Sequence, residues 1–433
     1  MRISLLSCLL TFFLIPLLAG APLKLTLEEA QKIALEQNPT LAQVQASLDS
    51  ALATWESARS AYLPSLDATA GITRRRDAAT RPTRDYDNNT LYEAGLSASY
   101  LVFDGFARRY RLLAAQLGQD MAVADCDDAR RLLEEQVSYA FYQVLQAQNT
   151  MEIRQQDAAF NRQLEEDARK KYEYGTAKLS EVLNFQYQVQ SAEADTIVAR
   201  NSWKTAWVAL GALLSVQEEQ IWANMELVPP VEKELAEEFP AIGAVMDYAL
   251  AHRPDLENAR RQVESAELAV KEAKAQWFPQ VNAFANYGFS RDHSAHFNRH
   301  YDRTVNFGLT ASWNLFDGGN TQATIRLAEA KLLSSQKGLA AQEDTLKSEV
   351  RQSYVSLQAA VEVLKKENSL LEVATRIRDL VREEYLGGTA TITRLNEVQT
   401  NLTNTSLARS NAWISVLTAQ EKLYSVTAGY RLP

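Results

Sequence analysis

The sequence Tyr174-Gly175-Thr176-Ala177 recurs in a longer form as Tyr385-Leu386-Gly387-Gly388-Thr389-Ala390, and the two Gly-Thr pairs are 388 − 175 = 213 residues apart. Three further landmarks recur in the same order at nearly the same offset: Asn38-Pro39 with Arg253-Pro254, Leu63-Pro64 with Phe278-Pro279, and Phe103-Asp104-Gly105 with Phe316-Asp317-Gly318. Four landmarks repeated in order over about 400 residues indicate a tandem duplication of one supersecondary unit, whose copies usually pack on each other or surround a common axis.

The N-terminus has the features of a secretory signal peptide. Met1-Arg2 precedes an apolar run from Leu5 to Leu18, and Ala19-Gly20-Ala21 follows it. A basic start, a short apolar stretch and small residues are typical of a cleaved leader, and the run is shorter than the roughly 20 apolar residues of a spanning helix. We therefore predict that residues 1–21 are removed after export. An uncleaved anchor is the alternative.

The composition excludes several classes of function. A formal charge of −9 argues against nucleic acid as a partner. Only Cys126 remains after the leader is removed, so the exported chain has no intrachain disulfide framework. The sequence contains no Gly-rich phosphate loop, GxSxG elbow or HExxH pair. We predict that the protein is not an enzyme and has no cofactor.

Long helices dominate both halves of the chain. Residues 106–173 and 319–384 contain no proline, and helices of that length extend about 100 Å. Each ends at a Gly-Thr turn, where glycine supplies the left-handed conformation that stops a helix. In each repeat a shorter helix returns from the turn, and another short helix precedes the strands. Placed end to end, the returning helix and the helix before the strands match the length of the long helix. The predicted shorter helices are 40–63, 177–214, 241–252, 255–278 and 391–424, and a capping box at Thr26-Leu27-Glu28-Glu29 starts the first helix.

Four segments alternate apolar and polar residues with a period of two, which predicts strands with one apolar face. They are 65–73, 92–102, 281–290 and 305–315. Each is close to the 9–11 residues that a tilted strand needs to cross a bilayer. An ordinary soluble antiparallel sheet remains the alternative. Four strands do not close a membrane barrel, which needs at least eight in a bacterial single chain. Membrane strands therefore imply an oligomer, with eight strands from two copies or twelve from three.

Together, these landmarks resemble the outer membrane efflux protein (TolC) family over essentially the whole mature chain. The resemblance rests on the duplication, the Pro-broken helices, the Phe-Asp-Gly turns, and the hairpin tips followed by Glu181-Val182-Leu183-Asn184 and Arg394-Leu395-Asn396-Glu397. It implies a mainly α protomer with a β part, which trimerises into a twelve-stranded outer-membrane barrel and a periplasmic α-helical barrel. It also implies the exit duct of a tripartite efflux or type I secretion system, with a periplasmic adaptor (membrane fusion protein) and an inner-membrane transporter as partners.

The resemblance also suggests how the chain is divided. Residues 22–64 and 217–279 are expected to form the equatorial and upper helices of the two repeats. Residues 65–103 and 280–316 are expected to form outer-membrane strands and outward loops. Residues 104–216 and 317–428 are expected to form the periplasmic hairpins, and residues 429–433 the C-terminal end. A periplasmic coiled-coil scaffold, or an adaptor without its own pore, is the alternative architecture.

The hairpin tips are the predicted gate. The candidate residues are Tyr172, Gly175, Glu181, Asn184, Tyr385, Gly388, Arg394 and Glu397. In the family, inward-bent hairpins close the periplasmic end, and Tyr385 and Glu181 match positions of that latch. Ala390 stands where a latching arginine is found, and Arg394 and Glu397 stand where an acidic ring is found. Arg394 is expected to pair with Glu181 or Glu397. The alternative is that Tyr385 and Glu181 are solvated tip residues.

Two loops, 74–89 and 291–303, are expected to face the outside of the cell. The first is rich in arginine, which recognises phosphate well, so it is either a contact for lipopolysaccharide in the outer-membrane lipid or a solubilising loop. Its arginines are Arg74, Arg75, Arg76, Arg81 and Arg84. The second contains His293, His296 and His300, which share a face only if the loop is helical. No acidic or thiolate partner is fixed there, so no metal site is predicted.

Overall fold

Two copies of one unit, each with helices, two strands and a long helical hairpin, make up the protein. The computed structural model describes residues 23–78, 86–216, 225–230 and 239–430. The predicted leader, Arg81 and Arg84 lie outside the described residues, as does the side chain of Arg76. Within the described part, no helix is both long and apolar enough to cross a membrane.

The elements follow the same order in both halves. Repeat 1 contains β1 (Leu23–Leu25), α1 (Leu27–Gln37), α2 (Pro39–Ser60), β2 (Ser65–Ala78), β3 (Tyr86–Phe103), α3 (Ala107–Glu173) and α4 (Leu179–Leu213). Repeat 2 contains β4 (Met225–Leu227), α5 (Ile242–His252), α6 (Pro254–Ala275), β5 (Gln280–Asp292), β6 (Arg303–Ser312), α7 (Asn320–Leu386) and α8 (Ile392–Val426). The predicted helices and their order are confirmed.

The predicted capping box and proline break are confirmed at α1 and α2. The backbone N of Glu29 donates to Oγ1 of Thr26 at 3.2 Å, and the backbone N of Thr26 donates to Oε2 of Glu29 at 2.9 Å. Asn38 ends α1 and caps α2, because its Oδ1 accepts from the N of Thr40 at 2.9 Å. Pro39 follows at the first helical position, where a missing N–H costs nothing.

The returning and upstream helices meet end to end along each long helix, as their lengths predicted. In repeat 1, Nδ2 of Asn38 donates to the carbonyl of Leu213 at 3.0 Å, which joins α2 to α4. In repeat 2, Nη1 of Arg253 donates to the carbonyl of Val426 at 2.8 Å, which joins α6 to α8. The two long helices, α3 and α7, have 67 residues each.

All four long strands form one antiparallel sheet in the order β2-β3-β5-β6. The register places the apolar residues of every strand on the same face. For example, Ala68 lies opposite Leu96, Leu96 opposite Tyr287, and Tyr287 opposite Val305. This face is uncovered, and Phe307 is 82% exposed.

The last strand is shorter than predicted. The sequence pattern extended it to Leu315, but β6 ends at Ser312, which lies opposite Gln280 in the last pair of the ladder. Pro279 precedes β5 and lacks the N–H to continue the ladder, so Trp313 and Leu315 lie beyond the strand. Nε1 of Trp313 instead donates to the carbonyl of Trp277 at 3.0 Å.

A two-stranded parallel ribbon, β1 with β4, joins the start of repeat 1 to the connector between the repeats. The sequence pattern does not predict this ribbon, because three-residue strands are too short to show a period. Leu25 and Leu227 are buried in the main core, which is formed where α1, α3, α5, α7 and the ends of α4 and α8 converge.

Candidate functional site

The two hairpin tips share one backbone geometry. Gly175 and Gly388 have φ values of 75° and 78°, in the left-handed region that glycine adopts without strain. After each glycine the chain turns back, and the N of Thr176 donates to the carbonyl of Lys171 at 2.8 Å. In the other tip, the N of Thr389 donates to the carbonyl of Glu384 at 2.9 Å. The prediction that both long helices stop at the Gly-Thr turns is confirmed.

A separate apolar core lies just behind the tips and joins the two hairpins. Its buried members come from all four helices: Leu164, Ala168, Val182, Phe185, Val381, Tyr385, Leu395 and Val398. The rings of Phe185 and Tyr385 pack edge to face with centroids 6.1 Å apart. Nζ of Lys171 lies 4.7 Å from the centre of the Tyr385 ring, which is a cation–π geometry. The tips are therefore packed against each other in this conformation.

Tyr385 and Tyr172 hold the same position in the two repeats but differ in burial. Tyr385 is 8% exposed and Tyr172 is 45% exposed. Tyr385 is thus not a solvated tip residue, whereas Tyr172 is partly solvated. Burial raises the pKa of the Tyr385 phenol above its ordinary value, and the negative charges of Glu181 and Asp167 raise it further.

Among the described residues of the tips, few polar contacts cross between the hairpins, and none of those involves Arg394. Nδ2 of Asn396 donates to Oδ1 of Asn184 at 2.8 Å, which links α8 to α4. Arg394 pairs with Glu397 at 2.8 Å, one of its two predicted partners. Both residues belong to α8, so this ion pair does not hold the hairpins together. Glu181 is half-buried and influences Tyr385 through its charge.

A buried polar layer, which the sequence pattern does not predict, joins α3 to α8 further from the tips. Oδ1 of Asp157 accepts from Nε2 of Gln399 at 2.7 Å and from Oγ1 of Thr403 at 2.9 Å. Gln399 and Thr403 are buried. The duplication gave no signal for this layer, because the repeat counterpart of Asp157, 213 residues on, is Leu370.

The described parts of the two predicted outward loops lie at the end of the sheet distant from the helices, and the loops are shorter than predicted, because β2 continues to Ala78, β3 begins at Tyr86 and β5 continues to Asp292. Arg74 and Arg75 belong to the end of β2, where the strand's alternation places them on opposite faces. The loop after β5 is not helical, and His293 has a φ of 68°. The i, i+3, i+7 spacing therefore does not bring the three histidines onto one face.

Comparisons with known proteins agree with this arrangement. A family model described as outer membrane efflux protein matches residues 31–216 and 245–429. The chain is 24% identical over 409 residues to the outer membrane protein TolC of Vibrio cholerae, covering 92% of this chain and 90% of that protein. It is 29% identical over 277 residues to the alkaline protease secretion protein AprF of Pseudomonas aeruginosa, covering 63% and 55%. Among solved structures, the Campylobacter jejuni CmeC outer membrane channel superposes with a TM-score of 0.83 at 17% identity, over 93% of this chain and 85% of that one.

Proposed function

Because the chain belongs to the outer membrane efflux protein family, we propose that three copies of it form the exit duct of a tripartite efflux or type I secretion system. Residues 65–103 and 280–316 form the outer-membrane part, and 104–216 and 317–428 form the periplasmic tube. Residues 22–64 and 217–279 surround the tube near its equator, residues 1–21 are the leader, and 429–433 are the C-terminal end. The name of the relative AprF, an alkaline protease secretion protein, supports an export role.

The observation that carries this proposal is the four-stranded sheet with an uncovered apolar face and two open edges. Phe307 and Leu309 of β6 are 82% and 71% exposed, whereas a soluble antiparallel sheet buries its apolar face. In lipid, an exposed apolar face is stable but an open edge is not. Both edges are satisfied if β6 of each copy pairs with β2 of the next. Three copies then give a closed barrel of twelve strands.

The contact between the repeats within one chain supports a ring of copies. A Cβ added to Gly105 would lie 2.5 Å from the carbonyl oxygen of Ala275 and 2.8 Å from Cβ of Phe278, so the turn of repeat 1 sits on the helix–strand junction of repeat 2. The equivalent Gly318 meets nothing within 4 Å. The junction near residues 60–64 of a second copy is the equivalent partner for that turn.

The hairpin tips form the gate of this duct. The residues predicted for it lie at the tips: Tyr172, Gly175, Glu181, Asn184, Tyr385, Gly388, Arg394 and Glu397. Of these, partly solvated Tyr172 and the Arg394–Glu397 pair within α8 do not join the hairpins. Tyr385 holds the two hairpins together through Phe185, and the Asn184–Asn396 hydrogen bond adds a polar contact. Gly175 and Gly388 allow the sharp turns. The resting conformation is closed as long as this small core stays packed.

The periplasmic adaptor and the inner-membrane transporter are the expected partners, and the tips are where they act. Tyr174, Leu179, Leu183 and Tyr187 are exposed on the first tip and on α4. Exposed apolar side chains on one side of a helical hairpin are typical of a protein-binding surface. Docking of the adaptor's own helices on this surface, which lies beside the tip core, opens the mouth.

Single-channel recording in a planar lipid bilayer tests this function. The wild-type protein should insert and show a low conductance, and Tyr385→Ala should raise the conductance several-fold because the tip core loses its largest ring. Tyr172→Ala is the matched control, since the equivalent ring is partly solvated, and should change the conductance much less. A protein that does not insert, and that is recovered soluble from the periplasm, would support the scaffold or adaptor alternative.

A further inference from the structure

The apolar face of the sheet ends in arginines at the end distant from the helices. Arg291 of β5 lies opposite Tyr92 of β3, and Arg303 of β6 lies opposite Phe289 of β5. Tyr92 and Phe289 both belong to the apolar face, so both arginines do as well. Arg74 lies two residues beyond Ile72 on β2 and therefore on the same face. We call Arg74, Arg291 and Arg303 the arginine belt.

The two faces differ in charge at this end of the sheet: the polar face carries both signs, and the apolar face carries arginine. The opposite, polar face contains Glu93 and Asp292, because Glu93 lies opposite Ser290 and Asp292 opposite Leu91. Arg75 also belongs to the polar face, one residue from Arg74. A generally solubilising strand end would place charges of both signs on both faces. Here the face that continues the apolar surface of β2, β5 and β6 ends in positive charge.

Aromatic rings lie directly next to the belt on the apolar face. Tyr287 and Phe289 pack edge to face with centroids 5.5 Å apart, and Phe289 lies 5.7 Å from Phe297 of the following loop. Aromatic girdles of membrane strands lie at the interface between hydrocarbon and headgroups. The belt therefore lies at the level of the headgroups, facing lipid and not the lumen.

The belt offers charge that is not fully neutralised within the chain. Arg74 and Arg303 are exposed. Arg291 is half-buried, with Nη1 3.6 Å from Oδ2 of Asp302 and a further hydrogen bond to the carbonyl of His296. A guanidinium forms paired hydrogen bonds with phosphate oxygens, and it does so more strongly next to a low-dielectric surface than in water.

We propose that the arginine belt binds the phosphate groups of lipopolysaccharide in the outer leaflet. The inference rests on the proposed function, because that orientation puts the belt at the cell surface. Anionic lipid at the outer surface of each copy would fix the depth of the sheet in the membrane. The binding site combines positive charge for the phosphates with an adjacent apolar and aromatic surface for the acyl chains.

Native mass spectrometry of the full-length protein, extracted from the outer membrane in mild detergent, tests the proposal. Wild-type protein should retain added lipopolysaccharide, and the triple variant Arg74→Gln, Arg291→Gln, Arg303→Gln should retain at least tenfold less. Arg75→Gln is the control for the face, since it removes one positive charge from the opposite face of the strand that carries Arg74, and it should retain the wild-type amount, whereas Arg74→Gln alone should retain less. If the triple variant does not fold, the single variant Arg303→Gln takes its place, and it should retain less lipopolysaccharide than the wild-type protein.

Two probes separate the possible sources of phosphate. Dephosphorylated lipopolysaccharide should be retained at least tenfold less than the intact lipid. Millimolar inorganic phosphate should not displace the intact lipid, because it lacks acyl chains. The lipid-binding proposal is wrong if both lipids are retained equally, if free phosphate displaces the intact lipid, or if Arg75→Gln loses as much lipid as the triple variant. Wild-type protein that conducts but retains no lipid contradicts the lipid-binding proposal alone. Wild-type protein that neither inserts nor conducts contradicts the proposed duct.

Discussion

At the scale of single residues, Tyr172 and Tyr385 are 385 − 172 = 213 residues apart and lie in equivalent turns. The Tyr385 ring packs against the Phe185 ring of the other hairpin. Burial of the two tyrosines differs because it depends on which helix each one meets across the gap between the hairpins.

The ionisation of Tyr385 reports on the tip core. Its pKa is raised above the ordinary 10.0, first by burial and then by the charges of Glu181 and Asp167. A raised pKa in the folded state means that the neutral phenol stabilises the packed tip core fully below about pH 10, and that this contribution is lost as the pH rises through the raised value. Titration by absorbance at 295 nm should show a transition above pH 10 that the Tyr385→Phe variant lacks. If the transition that this variant lacks lies at or below pH 10 instead, the buried position of Tyr385 is contradicted.

Charge reversal at Arg394 distinguishes a latch from a surface ion pair. Arg394 and Glu397 are both exposed and lie on one helix at i, i+3, a pair of about 0.3–0.5 kcal/mol. We expect Arg394→Glu to leave the single-channel conductance unchanged, because the pair does not join the hairpins. Asn184→Ala removes a hydrogen bond that does join them, so it should open the channel more often. A large increase for Arg394→Glu would show that Arg394 latches across copies.

At the scale of elements, helices were predictable and strand ends were not. Prolines 39 and 254 and the two Gly-Thr turns set the helix boundaries locally, since proline and glycine act through their own backbone. The end of β6 depends on its partner: the ladder stops at Gln280, so an alternating sequence beyond Ser312 remains unpaired. The contacts of Asp157 between α3 and α8 could not be predicted for the same reason, because a polar residue in the sequence does not identify its distant partner.

Asn38 connects two helices, and its removal should weaken both. Its side chain caps α2 and donates to the last turn of α4 through the carbonyl of Leu213. Loss of an N-cap costs about 1 kcal/mol, so Asn38→Ala should lower the free energy of unfolding by at least that amount. Thermal melting followed by circular dichroism at 222 nm measures it. Ser47→Ala, which removes only a hydroxyl bonded to Gln43 within α2, is the control and should change the stability by less than about 0.5 kcal/mol.

At the scale of the whole molecule, we propose that the strand pairing between repeat 1 and repeat 2 also describes the pairing between copies. Within the chain, β3 pairs with β5, with Ser97 opposite Asn286. The repeat counterpart of Ser97 is Thr310, since 97 + 213 = 310. The repeat counterpart of Asn286 is Gly71, since 286 − 215 = 71. The structure thus predicts that Thr310 of one copy lies opposite Gly71 of the next.

Cysteine cross-linking tests this register. In a Cys126→Ala background, Thr310→Cys with Gly71→Cys should form disulfide-linked trimers, because directly opposed Cβ atoms are about 4.5–5.5 Å apart. Thr310→Cys with Asp67→Cys is the control on the same face. It lies four residues, or about 13 Å, further along the strand and should not cross-link. Equal cross-linking of both pairs would mean that the strands do not pair in this register.

The most direct measurement of the central claim is the native mass of the protein extracted from the outer-membrane fraction in mild detergent. We predict a stable assembly of three chains, because a single copy in lipid would leave the outer edges of β2 and β6 unpaired. A soluble monomer, or a membrane-bound assembly of another size, would contradict the twelve-stranded duct.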